Sequence, residues 1–190
     1  SFSTDPDSVP LNNGVIVCDG ASPKIRHNRI VNHFFFGPYN DFGAIYCCQS
    51  EALIEHNHID SIRSYGVGRL AGIHARHSDL TVRHNTVSEI YGNYCLYRAG
   101  CIVADTCQLD LSYNIFTNVR ADGSPGVGLA LTGSQAVMDH HTVAGSEVGV
   151  GLYAGSELEV TNSILYYNNI PGHDETGSIY DFDGDATVSV

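Results

Sequence analysis

The feature that most constrains this chain is a recurrence. A small or apolar residue opens a short β-like run, and a β-branched or apolar residue follows eleven positions later, seven times over: Gly14/Ile25, Gly43/Ile54, Ala71/Val82, Gly100/Leu111, Val127/Met138, Gly149/Val160 and Gly177/Val188. The steps between repeats are 29, 28, 29, 27, 22 and 28 residues. Three residues past the second anchor stand Asn28, Asn57, Asn85, Asn114, His141 and Ser163. Two further on stand Ile30, Ile59, Val87, Phe116, Val143 and Leu165. Runs such as Gly43-Ala44-Ile45-Tyr46 are punctuated by Gly, Asn, Ser and Asp, and no long stretch carries the 3.6-residue apolar period of an amphipathic helix. A repeat of three short strands cannot bury its apolar face alone, so successive turns must stack. The expectation is an all-β solenoid of six to seven coils over residues 14–190, after a polar, Pro-containing lead-in at residues 1–13. A leucine-rich repeat is the nearest alternative, but its signature is denser in Leu and usually shorter.

Parallel strands lie about 4.8 Å apart, so equivalent residues form ladders along the axis. The recurring Asn is expected at a left-handed corner, which Asn tolerates, with side chains hydrogen-bonding from coil to coil. In these features residues 14–190 resemble the right-handed parallel β-helix family, the pectate-lyase-like solenoids. The resemblance implies a right-handed parallel β-helix of three-strand coils. It also implies a polysaccharide cleft built from the strand that opens each coil and the loops just before it.

Strand alternation then selects candidates. The third position of the opening strand reads Ile16, Ile45, Ile73, Ile102, Leu129, Gly151, Ile179, an inward ladder. The fourth position (Val17, Tyr46, His74, Val103, Ala130, Leu152, Tyr180) and the sixth (Asp19, Cys48, Arg76, Asp105, Thr132, Ala154, Phe182) then face outward. Catalytic candidates are Tyr46, His74, Arg76 and Asp105. The loops expected at 31–42, 60–70, 91–99 and 120–126 flank them, and Tyr39, Arg63, Tyr65, Tyr94 and Arg98 are candidates for substrate binding. β-Elimination of an acidic polysaccharide needs a cation on the uronate carboxylate, a base for the α-proton and an acid for the leaving oxygen. Arg76, His74 and Tyr46 can fill those roles in that order. Hydrolysis needs two carboxyls about 5–9.5 Å apart. Asp19 and Asp105 stand three coils apart, about 14 Å, so a hydrolase would need loop acids such as Asp41 or Asp122. Motifs of polygalacturonase-like hydrolases and alginate epimerases are missing from the sequence.

Charge and composition bound the partners. Nine Lys and Arg against 21 Asp and Glu give a net charge of −12, a field that repels a phosphate backbone, so nucleic acid is not an expected partner. The same charge opposes an acidic substrate unless Ca²⁺ bridges it. No apolar run approaches the roughly 20 residues of a membrane span, so no membrane insertion is expected. The chain opens Ser1-Phe2-Ser3, which reads as a mature or trimmed product, and no cap is visible at either end of the repeat. The expectation is part of a longer protein whose other segments, or a partner, cover the ends. The functional expectation is a secreted, periplasmic or cell-surface module acting on or binding a polysaccharide, lyase-like if catalytic. The alternatives are a non-catalytic binding or spacer segment and a Cu- or Zn-binding ladder. His27, His56, His84 and His140 share one repeat position and motivate that ladder, which has a precedent by resemblance in β-helical copper-handling proteins. A stack of corner imidazoles is its plain alternative, and no metal ligand is assigned. Six Cys form no CxxC pair. Cys18 and Cys47 are expected as core thiols or a strained disulfide, Cys48 and Cys101 as outward-facing, and Cys95 as a partner for Cys101 or Cys107. Asp181-Phe182-Asp183-Gly184-Asp185 echoes half of an EF-hand loop but lacks its turn Gly and closing Glu.

Overall fold

Each strand pairs in parallel only with its equivalents one coil before and one coil after, and this winds the chain into a right-handed β-solenoid of about six turns. The computed structural model describes residues 14–37, 41–66, 68–93, 98–168 and 178–190. Sheet A stacks Gly14–Asp19, Phe42–Cys48, Arg69–Arg76, Arg98–Asp105, Gly126–Thr132, Val148–Tyr153 and Ile179–Asp181. Sheet B stacks Lys24–Arg26, Glu51–Glu55, Asp79–Arg83, Gln108–Ser112, Gln135–Asp139, Glu157–Thr161 and Thr187–Ser189. Sheet C stacks Arg29–Phe36, His58–Tyr65, Thr86–Asn93, Ile115–Ala121, Thr142–Ala144 and Ile164–Tyr166. Between them runs one apolar core of rungs, among them Ile45-Ile73-Ile102-Leu129, Ile54-Val82-Leu111-Met138 and Ile59-Val87-Phe116-Val143, all fully buried. No helix of the described residues is long and apolar enough to cross a membrane.

The corners carry the coil-to-coil chemistry. The left-handed residue at the turn from sheet B to sheet C is not the recurring Asn but the residue before it: His27, His56, His84, Tyr113, His140 and Asn162 have φ of 49–55°. That turn aims the following Asn inward. Asn57 and Asn85 are buried, and each accepts on Oδ1 from the backbone N–H and Nδ2 of the Asn one coil earlier, at 2.9–3.0 Å. Asn85 Nδ2 also donates to the Ile54 and Arg83 carbonyls and to Asn114 Oδ1. A second ladder at the turn from A to B escapes the sequence reading. Ser50, Ser78, Ser134 and Ser156 accept on Oγ from amides one coil earlier, and Cys107 stands in the same column.

Several expectations need correction. The strand opening the sixth coil is displaced by one residue: Val127 pairs with Val148 and Leu129 with Val150, because the turn at Ala154-Gly155 holds one extra residue. The inward residue there is therefore Val150, and Tyr153, not Ala154, sits beside Thr132. In the last coil Val188 pairs with Leu158 rather than Val160. Residues 31–36 and 60–65 are strand, bent at left-handed Asn32 and Ser61, so the connections into sheet A are shorter than expected. Sheet A also bends, with two consecutive inward side chains at Ala44-Ile45 and Cys101-Ile102, so Cys101 is a core thiol rather than an outward one. Only a small residue fits at the bend: a Cβ on Gly72 would lie 2.4 Å from Val87 Cγ1. The polar lead-in at residues 1–13 lies outside the described residues.

Two substitutions test the Asn ladder. Asn85→Ala orphans buried amides on both sides, so chemical denaturation should show a loss of about 3 kcal/mol. His141, which takes the Asn position in the fifth coil, meets Asn114 Nδ2 at 3.0 Å, but its Nδ1 has no hydrogen-bond partner. Burial pushes its pKa down to about 4, so the fold tolerates only the neutral ring. Stability is unpenalised above the unfolded value near 6.5 and falls as pH drops from there toward 4, by about 3 kcal/mol. His141→Asn should remove that dependence, read as the difference in Tm between the two proteins at pH 7 and pH 4.5.

Candidate functional site

The outer face of sheet A is where the sequence placed its reactive residues, and the strand register brings the four of them together. Tyr46 and His74 are cross-strand partners, as are Arg76 and Asp105. Small residues in the outward row beside them make the room: a Cβ on Gly43 would lie 2.9 Å from His74 Cβ, and one on Gly14 3.1 Å from Tyr46 Cβ. The Tyr46 and His74 rings meet edge-on with centroids 5.1 Å apart. His74 Nε2 lies 3.5 Å from Asp105 Oδ2, and the Arg76 charge acts on the Tyr46 phenol.

Two arginines complete the cluster. Arg69 and Arg98 are cross-strand partners at the start of their strands, and Gly100 leaves the row beyond Arg98 without a side chain. Arg69 bonds Asp105 Oδ2 and lies 3.8 Å from Asp41. Arg98 bonds Thr132 Oγ1, approaches Asp105 Oδ1 at 4.0 Å and lies over the Tyr153 ring at 3.6 Å. Three of the nine Lys and Arg of an acidic chain thus surround one carboxylate and one imidazole. Burial alone would raise the Asp105 pKa, but the contacts from His74, Arg69 and Thr132 hold it below the usual carboxylate value. Burial keeps the Tyr46 phenol above its usual value against the pull of Arg76, so it stays a proton donor.

One property departs from a surface cleft. Tyr46 is 1% exposed and His74 fully buried, although both face away from the core. Neither ring nitrogen of His74 makes a hydrogen bond, nor does Asp105 Oδ1. A buried imidazole with both nitrogens free is costly, and such groups concentrate where chemistry or binding uses them. The accessible rim is formed by Arg69, Asp41 and Arg76, all half-buried.

The remaining candidates lie elsewhere. Arg63 and Tyr65 belong to sheet C, where Tyr65 is exposed and stacked on Phe36. Tyr39 and Tyr94 lie outside the described residues, as does Cys95. Arg69 and Tyr153 are absent from the sequence-derived candidates, and Thr132 stands there only as an outward residue without a role. The misplaced sixth coil hid Tyr153, although the alternation Val148-Val150-Leu152 against Val127-Leu129-Leu131 carries the correct register. The corner imidazoles form a face-to-face column, His27-His56-His84-Tyr113-His140, with centroids 4.8–5.1 Å apart. Stacked this way, their in-plane lone pairs run parallel instead of converging on an ion. Among the described residues no group of three or more His, Cys, Asp or Glu could hold a metal. In the tail, Asp181, Asp183 and Asp185 accept hydrogen bonds from backbone amides, including those of Ala154 and Gly155 one coil earlier. Among the described residues, Cys18, Cys47, Cys101 and Cys107 are thiols outside any disulfide.

Compared with known protein families, curated proteins and solved structures, the chain matches none.

The free ring nitrogens of His74 make a stability prediction. His74→Phe removes two unsatisfied polar atoms while keeping a ring of similar shape, so unfolding should change by less than about 1 kcal/mol. A loss of about 3 kcal/mol would show instead that the imidazole is a structural partner of Asp105.

Proposed function

We propose that this chain is a carbohydrate-active module, secreted or displayed at the cell surface, that takes an acidic polysaccharide at the outer face of sheet A with lyase-like chemistry. The observation that carries the reading is the convergence of Tyr46, His74, Arg76 and Asp105 with Arg69 and Arg98, around an imidazole that makes no hydrogen bond and whose Nε2 lies 3.5 Å from Asp105. The family resemblance to pectate-lyase-like solenoids points to the same face. In this reading Arg76 pairs with the uronate carboxylate and makes the neighbouring C–H more acidic. His74 takes that proton, and the Tyr46 hydroxyl protonates the departing glycosidic oxygen, leaving an unsaturated uronate. Asp105, held ionised by Arg69, orients the imidazole and stabilises it once protonated. Local cations answer the objection that a chain of net charge −12 would repel an acidic glycan.

The burial of Tyr46 and His74 favours a second reading, in which the rim binds glycan and no bond is cleaved. One experiment separates the two. Neutral and acidic polysaccharides, with and without Ca²⁺, are assayed for reducing ends and for absorbance of unsaturated uronates. The lyase reading expects both signals on a uronate polymer, with turnover lowered at least a hundredfold in His74→Ala and Arg76→Ala while circular dichroism stays unchanged. Affinity without turnover would favour the binding module. A broad panel that shows neither affinity nor turnover would overturn the proposal.

A further inference from the structure

The outer face of sheet C carries a pattern that repetition of the coil does not produce. In register, Phe34 pairs with Arg63, Arg63 with Tyr91, and Tyr91 with Arg120. Ring and guanidinium therefore alternate over four consecutive coils. Beside this row Phe36 pairs with Tyr65, their rings stacked 5.9 Å apart. These are exposed aromatics on a water-facing sheet: Phe34 is 57% exposed, Phe36 75%, Tyr65 44% and Tyr91 36%. The inward residues of the same strands, Ile62, Ile90 and Val119, fill the core, so the outward rings contribute nothing to it. A cavity of about 350 Å³ opens along the row, with Arg63, Tyr91 and Arg120 in its wall together with Glu89, Ile90 and Asn118. Its polar groups are held in place: Asn118 Nδ2 donates to Glu89 Oε1 at 2.8 Å, and the Tyr91 hydroxyl donates to Asp122 at 2.8 Å, which fixes the plane of the ring.

Contiguous exposed aromatic surface on a soluble chain marks an interaction site. Its spacing and charge select the occupant. Rungs are about 4.8 Å apart, so like residues in the row recur every second coil, about 9.6 Å, close to the length of a disaccharide in an extended glycan. Aromatic faces take the C–H faces of sugar rings, and guanidinium groups take carboxylates or sulfates in bidentate pairs. We propose that this face is a second glycan-binding surface, on which an acidic polysaccharide lies along the solenoid axis with sugar rings on Phe34 and Tyr91 and its acid groups on Arg63 and Arg120. The chain bound here carries at least one acid group per disaccharide. The site rests on the polysaccharide reading of the protein but not on the sheet A cluster, and it would hold a long polymer whether or not the cluster cleaves it.

The test measures affinity by calorimetry in the full chain carrying His74→Phe and Arg76→Ala, which weakens the sheet A cluster, so that the sheet C substitutions assign the binding that remains. The probes are polygalacturonate for carboxylate, a sulfated glycosaminoglycan for sulfate, and a neutral glucan. The expected result is retained binding of one acidic polymer, weakened at least tenfold by Phe34→Ala with Tyr91→Ala, and equally by Arg63→Gln with Arg120→Gln. All four positions are on the surface, so the fold should persist. If the His74→Phe, Arg76→Ala protein binds nothing while the wild type binds, this surface is not a glycan site and the sheet A reading stands. If the wild type binds no glycan, both readings fail. Equal affinity for the neutral glucan would overturn the pairing with acid groups. Sedimentation showing a dimer that Phe34→Ala with Tyr91→Ala dissolves, without glycan binding, would assign the face to a second copy of the chain instead.

Discussion

Coil-to-coil hydrogen bonding is the constraint on which everything else depends. No coil closes its own backbone hydrogen bonds; each strand donates to and accepts from its neighbours along the axis. At the corners, where the ladder would lapse, Asn and Ser side chains take over and accept the amides that the turns expose. A left-handed residue before each Asn makes this geometry available. Four of those six positions hold His and one holds Tyr, residues that pay the strain of positive φ while their rings stack in a column outside. The imidazoles at this corner therefore have a structural occupation, which their repetition in the sequence does not reveal by itself.

Once the ladder sets register, the outer surface divides by what the rungs must do. Sheet A carries small residues in one outward row, and this lets Tyr46, His74 and the long arms of Arg69 and Arg98 lie over the strands. Further along the same face, Val103, Val127, Ala130 and Val148 close into an apolar patch against Tyr153, Tyr180 and Phe182. The polar cluster thus lies beside an apolar flank, a setting of reduced dielectric where charge pairs act more strongly than in water. The aromatic row of sheet C stays in contact with solvent.

Much of this was legible in the residues. The eleven-residue spacing and the Asn column identify the solenoid, and strand phase alone brings Tyr46, His74, Arg76 and Asp105 to one face. What escaped has physical reasons. Arg69 lies seven residues before Arg76 and reaches Asp105 only through a long side chain that crosses two rows. The Ser column pairs Ser50, Ser78, Ser134 and Ser156 with a Cys in the middle, so composition conceals it. An extra residue at Ala154-Gly155 changes the phase of one strand without disturbing the next, a tolerance that corners have and strands lack. The depth of His74 is a property of what lies over the strand, and periodicity is silent on that.

On the proposed function, ligand meets this protein on the outer faces of sheets A and C, while core and corners hold the coils together. Nuclear magnetic resonance titration with an acidic oligosaccharide tests it most directly. The account predicts chemical-shift changes concentrated in Phe42–Cys48, Arg69–Arg76 and Arg98–Asp105 and in the row from Phe34 to Arg120, with sheet B unmoved. Changes confined to sheet B or to the column of corner imidazoles, or none at saturating ligand, would contradict it.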